Sequence, residues 1–331
     1  MIPQSSANVR PRVLCVDLDG TLLKGNSLFE VLFARARTSP WVLFQFPFWL
    51  LRGQQHAWCR LMDRHTAPVR VDTFPFREET VEFLAAQRAA GREIWLVTGA
   101  HGRVAASISE RLGGFAGVLA TDASRHLVGK HKREELVQRF GAGQFDYAGD
   151  SKADLAVWKS AATAYLVSSA SQFREQLELG GIATIHIPAR SQQRSPWPAA
   201  CRIRGWWRNL PILLPLTIVK DRSQILSLIA GFAALCAANA SAALLRDLLS
   251  LDADRLDSAR KQQPLAAGDL ALPAAALAAA LLAGLALLLS GLVSWRAAVI
   301  VILYGLAVGT FRDRLVLVCS ALAAAAWYFV A

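Results

Sequence analysis

The chain is short of cysteine and of acidic residues. Its five cysteines are an odd number among 331 residues, and they are scattered without the spacing of metal ligands, so we expect reduced thiols and no disulfide. The 25 acidic residues are outnumbered by 36 lysines and arginines, which leaves a net charge of +11. Because the basic residues cluster beside apolar segments, this excess predicts contact with a lipid bilayer and no nucleic-acid partner.

An export signal is also missing from the start of the sequence, where "MIPQSSANVRPR" has no apolar core. We therefore expect the N-terminal domain to be cytoplasmic. The apolar residues make up 54% of the chain and are concentrated toward the C-terminus. Together with a mean hydropathy of +0.32, they predict two domains, of which the second is integral to a membrane of the bacterial inner-membrane type.

The segment "RVLCVDLDGTLL" has the pattern of a strand that ends in two carboxylates, Asp17 and Asp19. Its continuous apolar run is typical of a central parallel strand, and ligands of such sheets bind beyond the carboxyl ends of the strands. The two side chains leave an extended chain on the same side, so one carboxylate can attack phosphorus while the other transfers a proton. The alternative is a strand that merely ends in a turn at the "LDG" tripeptide.

Strands and helices alternate from "REETVEFLAAQRAAGREIWLVTG" to "IATIHI", which predicts a doubly wound parallel α/β sheet. An aromatic and apolar block at about 25–75 interrupts this alternation after the first strand and predicts an inserted helical cap. Within the block, residues 41–51 are too few to cross a bilayer. They form either the core of the cap or a face that enters the lipid interface or holds an isoprenoid-like tail.

Four motifs, in the same order along residues 10–188, resemble those of the haloacid dehalogenase-like phosphatases. They are D-x-D-G-T at 17–21, an apolar strand that ends in Thr98 and Gly99, a lysine in "LVGKHKREEL", and the carboxylates of "YAGDSKAD". The resemblance implies that residues 1–188 form a domain with this α/β fold and a helical cap. It also implies a Mg²⁺-dependent phosphatase that acts on a phosphorylated small molecule or a lipid-linked phosphate.

The resemblance further implies roles for individual residues. Asp17 is the expected nucleophile, and Asp19 is the expected general acid and base. Thr98 supplies a phosphate-binding hydroxyl, and either Lys132 or Lys130 balances the charge of the phosphate. The expected magnesium ligands are oxygen atoms of Asp17, Asp19 (through its backbone carbonyl), Asp150 and Asp154. The other residues expected beside the substrate are Gly20, Thr21 and Gly99.

Elementary chemistry supports these roles and leaves alternatives open. A phosphoryl group needs its charge neutralised, and Mg²⁺ prefers hard oxygen ligands. Lys132 is favoured over Lys130 because it stands four residues before Leu136, one helical turn from a position that faces the core. Either lysine could instead belong to a solvated helix start, and Asp154 could support the start of a helix through the helix dipole.

A basic and aromatic segment at 189–209 follows the first domain. The sequence has no acidic residue between Glu178 and Asp221, whereas arginines and tryptophans accumulate there. This composition predicts a linker at the membrane interface, with tryptophan at headgroup depth and arginine facing anionic lipid. The alternative is a basic linker with no role in substrate binding.

Five apolar stretches then predict an all-α, multi-helix transmembrane domain at 210–331. The second, third and last are long enough to span a bilayer, the first needs the tryptophans before it, and the fourth is short or tilted. We therefore expect four or five membrane helices. The stretches are residues 210–219, 224–245, 270–293, 297–310 and 314–331. The basic residues of the loop at 246–269 predict that this loop is cytoplasmic.

The same loop carries a second candidate site. Continued as a helix, it places Asp247 and Asp254 on one face beside Arg255 and Lys261, and such a group can hold Mg²⁺ and a diphosphate. The alternative is a solvated, charge-paired loop.

The segment from about Arg202 resembles the UbiA-type polyprenyltransferases, in particular their decaprenyl-phosphate phosphoribosyltransferase branch, in "RIRGWWRN", "RDLLSLDADR" and "RKQQPLAAG". It departs from that pattern at Arg246, Ser250 and Gln263, where the family has Asn, Asp and Arg. These changes remove oxygen ligands and add a cation, so we expect no transferase activity from this half without another membrane subunit. Prenyl or phosphoribosyl transfer in the membrane half, or a non-catalytic membrane scaffold, are the alternatives to a phosphatase.

Overall fold

A computed structural model of the chain describes residues 11–63, 70–122, 124–188, 195–311 and 316–328. The chain divides into two compact units, Met1–Gln192 and Gln193–Ala331. Parts of the predicted cap, linker and last apolar stretch lie outside the described residues, at 64–69, 189–194, 312–315 and 329–331.

The N-terminal unit is built on a six-stranded parallel sheet with the strand order β3-β2-β1-β4-β5-β6, which confirms the predicted sheet. The strands are β1 Val13–Val16, β2 Ile94–His101, β3 Gly117–Thr121, β4 Phe145–Gly149, β5 Thr163–Val167 and β6 Ala183–Ile187. In the middle of the sheet, Cys15 of β1 is paired with Trp95 of β2 on one side and Tyr147 of β4 on the other. The order reverses at β1, so the carboxyl ends of β2, β1 and β4 meet where such sheets bind ligands.

The cap is inserted between β1 and β2. It contains α1 Ser27–Ala36, α2 Val42–Leu51, α3 Gln54–Leu61 and a 3-10 turn at Val71–Thr73. The first helix begins where the side chain of Asn26 accepts a hydrogen bond of 3.0 Å from the backbone N–H of Leu28, the arrangement of an N-cap.

Side chains of β1 alternate between two cores. Leu14 and Val16 pack with the cap on one face of the sheet, whereas Cys15 packs with Trp158 on the other. The strand is therefore buried on both faces, as its continuous apolar run predicts. The remaining helices of this unit are α4 Glu78–Ala89, α5 Gly102–Leu112, α6 Lys130–Phe140, α7 Leu155–Trp158 and α8 Arg174–Leu179.

One predicted helix, at about 151–160, is shorter than expected. A 3-10 turn at Lys152–Asp154 comes first, and only the single turn of α7 follows. A capping box, in which the side chains of Ser151 and Asp154 each accept a hydrogen bond from the other's backbone N–H, starts the 3-10 turn, as at a helix N-terminus.

The described part of the C-terminal unit is helical. It comprises α9 Trp197–Ala200, a 3-10 helix at Ile203–Thr217, α10 Arg222–Leu249, α11 Leu251–Leu256, α12 Leu272–Val293, α13 Trp295–Phe311 and α14 Val316–Tyr328. Two helices, α10 with 28 residues and α12 with 22, are long and apolar enough to cross a membrane.

The other predicted membrane helices do not reach that length in the described residues. The stretch at 210–219 lies in the 3-10 helix and contains Pro211 and Pro215, which lack the N–H groups that an α-helix needs. The last stretch forms α14 with 13 residues, shorter than the roughly 20 residues that span a bilayer. Residues 314, 315 and 329–331 of this stretch lie outside the described residues, so its assignment as a membrane-spanning helix stays a prediction.

Candidate active site

The site begins where β1 ends. The backbone N–H of Asp17 donates to the carbonyl of Ala148 in β4 over 2.9 Å, so the ladder between the two strands fixes this carboxylate at the switch point of the sheet. Leu96 of β2 pairs with Val16 of β1, so Thr98 lies two residues beyond that pair, and Asp150 follows β4 directly. The predicted residues thus come from three adjacent strands.

Lys132 is the lysine that reaches Asp17. Its Nζ lies 2.8 Å from Oδ1 of Asp17 and 2.9 Å from the hydroxyl of Tyr147. Lys132 and Leu136 are both buried on the inner side of α6, whereas Lys130 is exposed. The spacing argument from the sequence therefore selected the lysine that contacts Asp17.

Asp154 organises the loop after β4. Its Oδ1 accepts a hydrogen bond of 2.8 Å from the hydroxyl of Tyr147. Its Oδ2 accepts hydrogen bonds from the backbone N–H groups of Asp150 and Ser151, at 3.3 and 3.1 Å. Its Oδ1 also lies 3.8 Å from Nζ of Lys132. The carboxylate of Asp154 therefore helps to position both Lys132 and the loop that carries Asp150.

Three carboxylates meet at this point. One oxygen each of Asp17, Asp150 and Asp154 lies within 4.8 Å of the others. Burial raises the pKa of Asp17, against the opposing charge of Lys132, and burial followed by the charge of Asp154 raises the pKa of Asp150 to about 7. Three hard anionic oxygens with too little compensating charge form a group that could hold Mg²⁺.

The turn after the strand needs a glycine. Gly20 has φ +77°, and a Cβ at this position would overlap the carboxylate of Asp150. Asp150 is also held from the other side, because the Thr21 hydroxyl donates to its Oδ1 over 3.3 Å. The backbone of the D-x-D-G-T motif therefore packs directly against the carboxylate of Asp150.

Gly20→Ala is expected to reduce turnover at this site strongly, because the new methyl group displaces Asp150. Gly91→Ala is the matched control, since Gly91 has φ +73° with nothing within 4 Å of the added Cβ. Both variants carry the backbone strain of about 1–2 kcal/mol, but only Gly20→Ala also disturbs the carboxylates. Parallel assays and melting curves test this, and equal activity losses in the two variants would contradict it.

Asp19 faces the cap. Its Oδ1 accepts a hydrogen bond of 2.7 Å from the backbone N–H of Ser27, the first residue of α1, and burial raises the pKa of this carboxyl group. This side chain lies outside the group of three close carboxylates found in the described residues. Asp19 therefore stands apart from the other three carboxylates, at the junction of sheet and cap.

Thr98 and Gly99 lie inside β2, which continues beyond the expected strand end to His101. The Thr98 hydroxyl accepts a hydrogen bond of 3.0 Å from the N–H of Ala100, and the residue is fully buried. A Cβ on Gly99 would lie 2.7 Å from Cγ2 of Val128, which explains the glycine by packing. Two contributors were missed in the sequence: Tyr147, and Arg77, whose Nη2 donates 3.1 Å to the carbonyl of Gly20. A tyrosine inside a buried strand needs a polar partner, and that signal could have revealed Tyr147.

The second candidate site, in the C-terminal unit, is a charge-paired pocket. Nη2 of Arg202 lies 3.0 Å from Oδ1 of Asp247, and Nη1 of Arg260 lies 3.1 Å from Oδ1 of Asp254. The helix breaks between the two aspartates at Ser250, whose hydroxyl donates 2.5 Å to Oδ2 of Asp254. The expected continuous helix is therefore wrong, although Asp247 and Asp254 do line one pocket.

The other two residues predicted for that pocket lie elsewhere. Arg255 donates to the carbonyl of Ala266 over 3.3 Å, and Lys261 is exposed. Arg202, Arg246 and Arg260 take their place in the lining. Because three guanidinium groups face two carboxylates, this pocket does not fit Mg²⁺.

Comparisons with known proteins cover the segment that carries the first site. Residues 14–159 match the family described as haloacid dehalogenase-like hydrolase. Over 260 residues, 77% of the chain, the sequence is 34% identical to the uncharacterized protein y4nM of Sinorhizobium fredii (strain NBRC 101917 / NGR234). The chain covers 50% of that relative, so it spans about half the length of the protein that it matches.

Solved structures with a similar arrangement include three proteins. A protein of unknown function from Bordetella pertussis Tohama I is 18% identical, with 54% of this chain and 100% of that chain covered and a TM-score of 0.43. A HAD family hydrolase from Salmonella enterica serovar Typhi is 13% identical, with 54% and 68% covered and a TM-score of 0.39. A substrate-bound phosphoserine phosphatase is 16% identical, with 55% and 95% covered and a TM-score of 0.38.

The family match falls on the segment that carries the parallel sheet and the carboxylates at its strand ends. The N-terminal unit therefore contains a haloacid dehalogenase-like hydrolase domain.

Proposed function

We propose that the chain is a Mg²⁺-dependent phosphatase that hydrolyses a phosphate monoester at the carboxyl end of β1. The contact of 2.8 Å between Asp17 and Lys132, with Asp150 and Asp154 beside it, carries the proposal. A buried carboxylate held by one ammonium group and flanked by two more carboxylates suits attack on phosphorus beside a divalent cation.

The proposed reaction has two steps. An oxygen of Asp17 attacks phosphorus, the bond from phosphorus to the ester oxygen breaks, and Asp19 gives its proton to the leaving alkoxide. Water then attacks the phosphorus of the acyl phosphate while Asp19 takes a proton, which releases phosphate and restores Asp17. Burial raises the pKa of Asp19, and this direction favours a carboxyl group that donates a proton. When bound, Mg²⁺ neutralises charge on the phosphoryl oxygens.

The remaining side chains hold these groups in place. Lys132 keeps Asp17 oriented, and Tyr147 and Asp154 in turn hold Lys132. Thr98 and the turn at Gly20 and Thr21 are the proposed phosphate contacts.

A panel of phosphate esters, assayed with the purified full chain in detergent with and without Mg²⁺, tests the proposal. Release of phosphate that is indifferent to chelation of Mg²⁺ would contradict it.

Asp150→Ala is expected to weaken Mg²⁺ binding more than the chemical step, because this side chain contributes a ligand oxygen and takes no part in bond making. The Mg²⁺ concentration for half-maximal activity should rise by an order of magnitude or more, and high Mg²⁺ should restore most of the turnover. Asp72→Ala, which removes an exposed carboxylate outside the site, is the control. Activity that stays low at saturating Mg²⁺ would argue against a metal role for Asp150.

We also propose that the domain acts at the cytoplasmic face of a membrane, on a lipid-linked or prenyl-related phosphate. Support comes from α10 and α12, which are long and apolar enough to cross a bilayer. Only 17% of the most apolar window of α12 is buried, against 72% for α10. An apolar helix with so much exposed surface is typical of one that faces lipid.

The C-terminal unit is proposed to be a UbiA-like membrane unit without its own transferase activity, because both aspartates of its pocket are already paired with arginines.

Membranes that contain the full chain are expected to transfer no labelled prenyl or phosphoribosyl group. Activity that is lost in Asp247→Ala would contradict this and would move the main function to the C-terminal unit.

A further inference from the structure

The cap carries a broad apolar face on α2 and on Trp41, the residue before it. Trp41, Phe44, Phe48 and Leu51 recur at helical spacing, and their exposed fractions are 72%, 68%, 70% and 85%. The opposite side of the helix is the one that packs on the core, through Val42, Phe46 and Trp49. One side of the helix therefore packs in the core, and the other side leaves an aromatic and apolar face exposed.

The charges around this face have one sign. The sequence contains four arginines and no acidic residue between Glu30 and Asp63. Arg52 follows the last residue of α2 and is exposed. Arg60, also exposed, holds its guanidinium carbon 5.6 Å from the ring centre of Trp49. Arginine thus stands at the C-terminal end of the helix and beside its partly buried edge.

The exposed aromatic side chains and the neighbouring arginines together favour one binding partner for this face, a lipid bilayer. A helix of ten residues is too short to span a bilayer but can lie in its interface, with aromatic side chains at the headgroup boundary and arginines against anionic lipid. A second copy of the same face would bring arginines toward arginines, which opposes pairing. The chain also carries two helices long and apolar enough to cross a membrane, so a bilayer is the surface that the chemistry of this face matches.

We infer that α2 docks on an anionic bilayer surface, with the face formed by Trp41, Phe44, Phe48 and Leu51 in the lipid interface and the neighbouring arginines against the headgroups. The inference does not depend on the proposed hydrolase activity. It concerns where the cap binds, and it is tested without any measurement of turnover.

The test compares two leucines with the same exposure, Leu51 at 85% on α2 and Leu179 at 84% on α8. The full chain, with its partly exposed native cysteines Cys59, Cys201 and Cys319 replaced by serine, receives either Leu51→Cys or Leu179→Cys. A fluorophore is attached to the single new accessible thiol. The protein is then reconstituted into phosphatidylglycerol vesicles that contain a lipid with a spin label near the headgroup.

Fluorescence at position 51 is expected to be quenched several times more strongly than at position 179. Replacement of phosphatidylglycerol by phosphatidylcholine, or the double change Arg52→Gln with Arg60→Gln, should reduce the quenching at position 51 only. Equal quenching at the two positions would overturn the inference, as would quenching that ignores lipid charge. Protection of position 51 from lipid within a crosslinkable dimer would overturn it in favour of a second copy.

Discussion

Asp17→Asn is expected to abolish phosphate-ester turnover by the full chain, with a loss on the order of 10⁴-fold or more. The amide has nearly the size of the carboxylate but lacks the negative charge that attacks phosphorus. Initial rates with p-nitrophenyl phosphate, measured for both proteins at saturating Mg²⁺, give the comparison directly.

The fold should survive this change. In metal-free buffer, Asp17 lies close to two further carboxylates, so removal of its charge relieves repulsion and the melting temperature should not fall. Asp122→Asn changes an acidic residue that follows β3, outside the candidate site, and should leave turnover unchanged. Substantial activity in Asp17→Asn would remove Asp17 from the role of nucleophile.

Lys132→Met is expected to have the second-largest effect, and it should act on both stability and activity. The substitution leaves Asp17 and Asp154 buried without their shared cation, a situation that typically costs about 3–5 kcal/mol. Loss of the positive charge beside the phosphoryl group should also reduce turnover on the order of 10²- to 10³-fold. Denaturant unfolding and steady-state assays measure the two effects separately.

Lys130→Met is the matched control for this experiment, because the same change is made two residues earlier at an exposed position. Its expected effect on the free energy of unfolding is within about 0.5 kcal/mol. Lys132→Arg keeps the charge and should fold better than Lys132→Met, so it reports on activity where the methionine variant is unstable. If Lys130→Met proved as damaging as Lys132→Met, the assignment of the buried lysine would be wrong.

The sequence predicted much of the N-terminal unit because its signals are local. A continuous apolar run predicts a strand buried on both faces, and β1 has that position. Carboxylates directly after such strands can only lie at one edge of a parallel sheet, so the meeting of Asp17 with Asp150 followed from topology. Helical spacing from Leu136 was enough to favour Lys132.

Contacts made across the sequence could not be predicted in the same way. Tyr147 of β4 belongs to the site because Lys132 of α6 and Asp154 of the following 3-10 turn both lie beside its hydroxyl. Arg77 reaches Gly20 from the start of α4, 57 residues away. The bond from Ser27 to Asp19 depends on where the first cap helix begins. None of these pairings has a spacing signal, because each one arises from packing.

In the C-terminal unit, composition predicted helices but not their lengths. Apolar residues alone do not distinguish an α-helix from the 3-10 helix that contains Pro211 and Pro215. Helical spacing also did not predict that Arg202 and Arg260 form ion pairs with the two aspartates of the pocket. Partners 45 residues apart, such as Arg202 and Asp247, are set by how the helices pack.

The most direct test of the central claim is a search for a phosphoryl group on Asp17. The full chain is mixed with p-nitrophenyl phosphate and Mg²⁺, quenched in acid within the first turnover, digested and analysed by mass spectrometry. The mechanism predicts a phosphorylated peptide that contains Asp17, absent when Mg²⁺ is chelated and absent in Asp17→Asn. Turnover with no such adduct on Asp17, or an adduct on another residue, would contradict it.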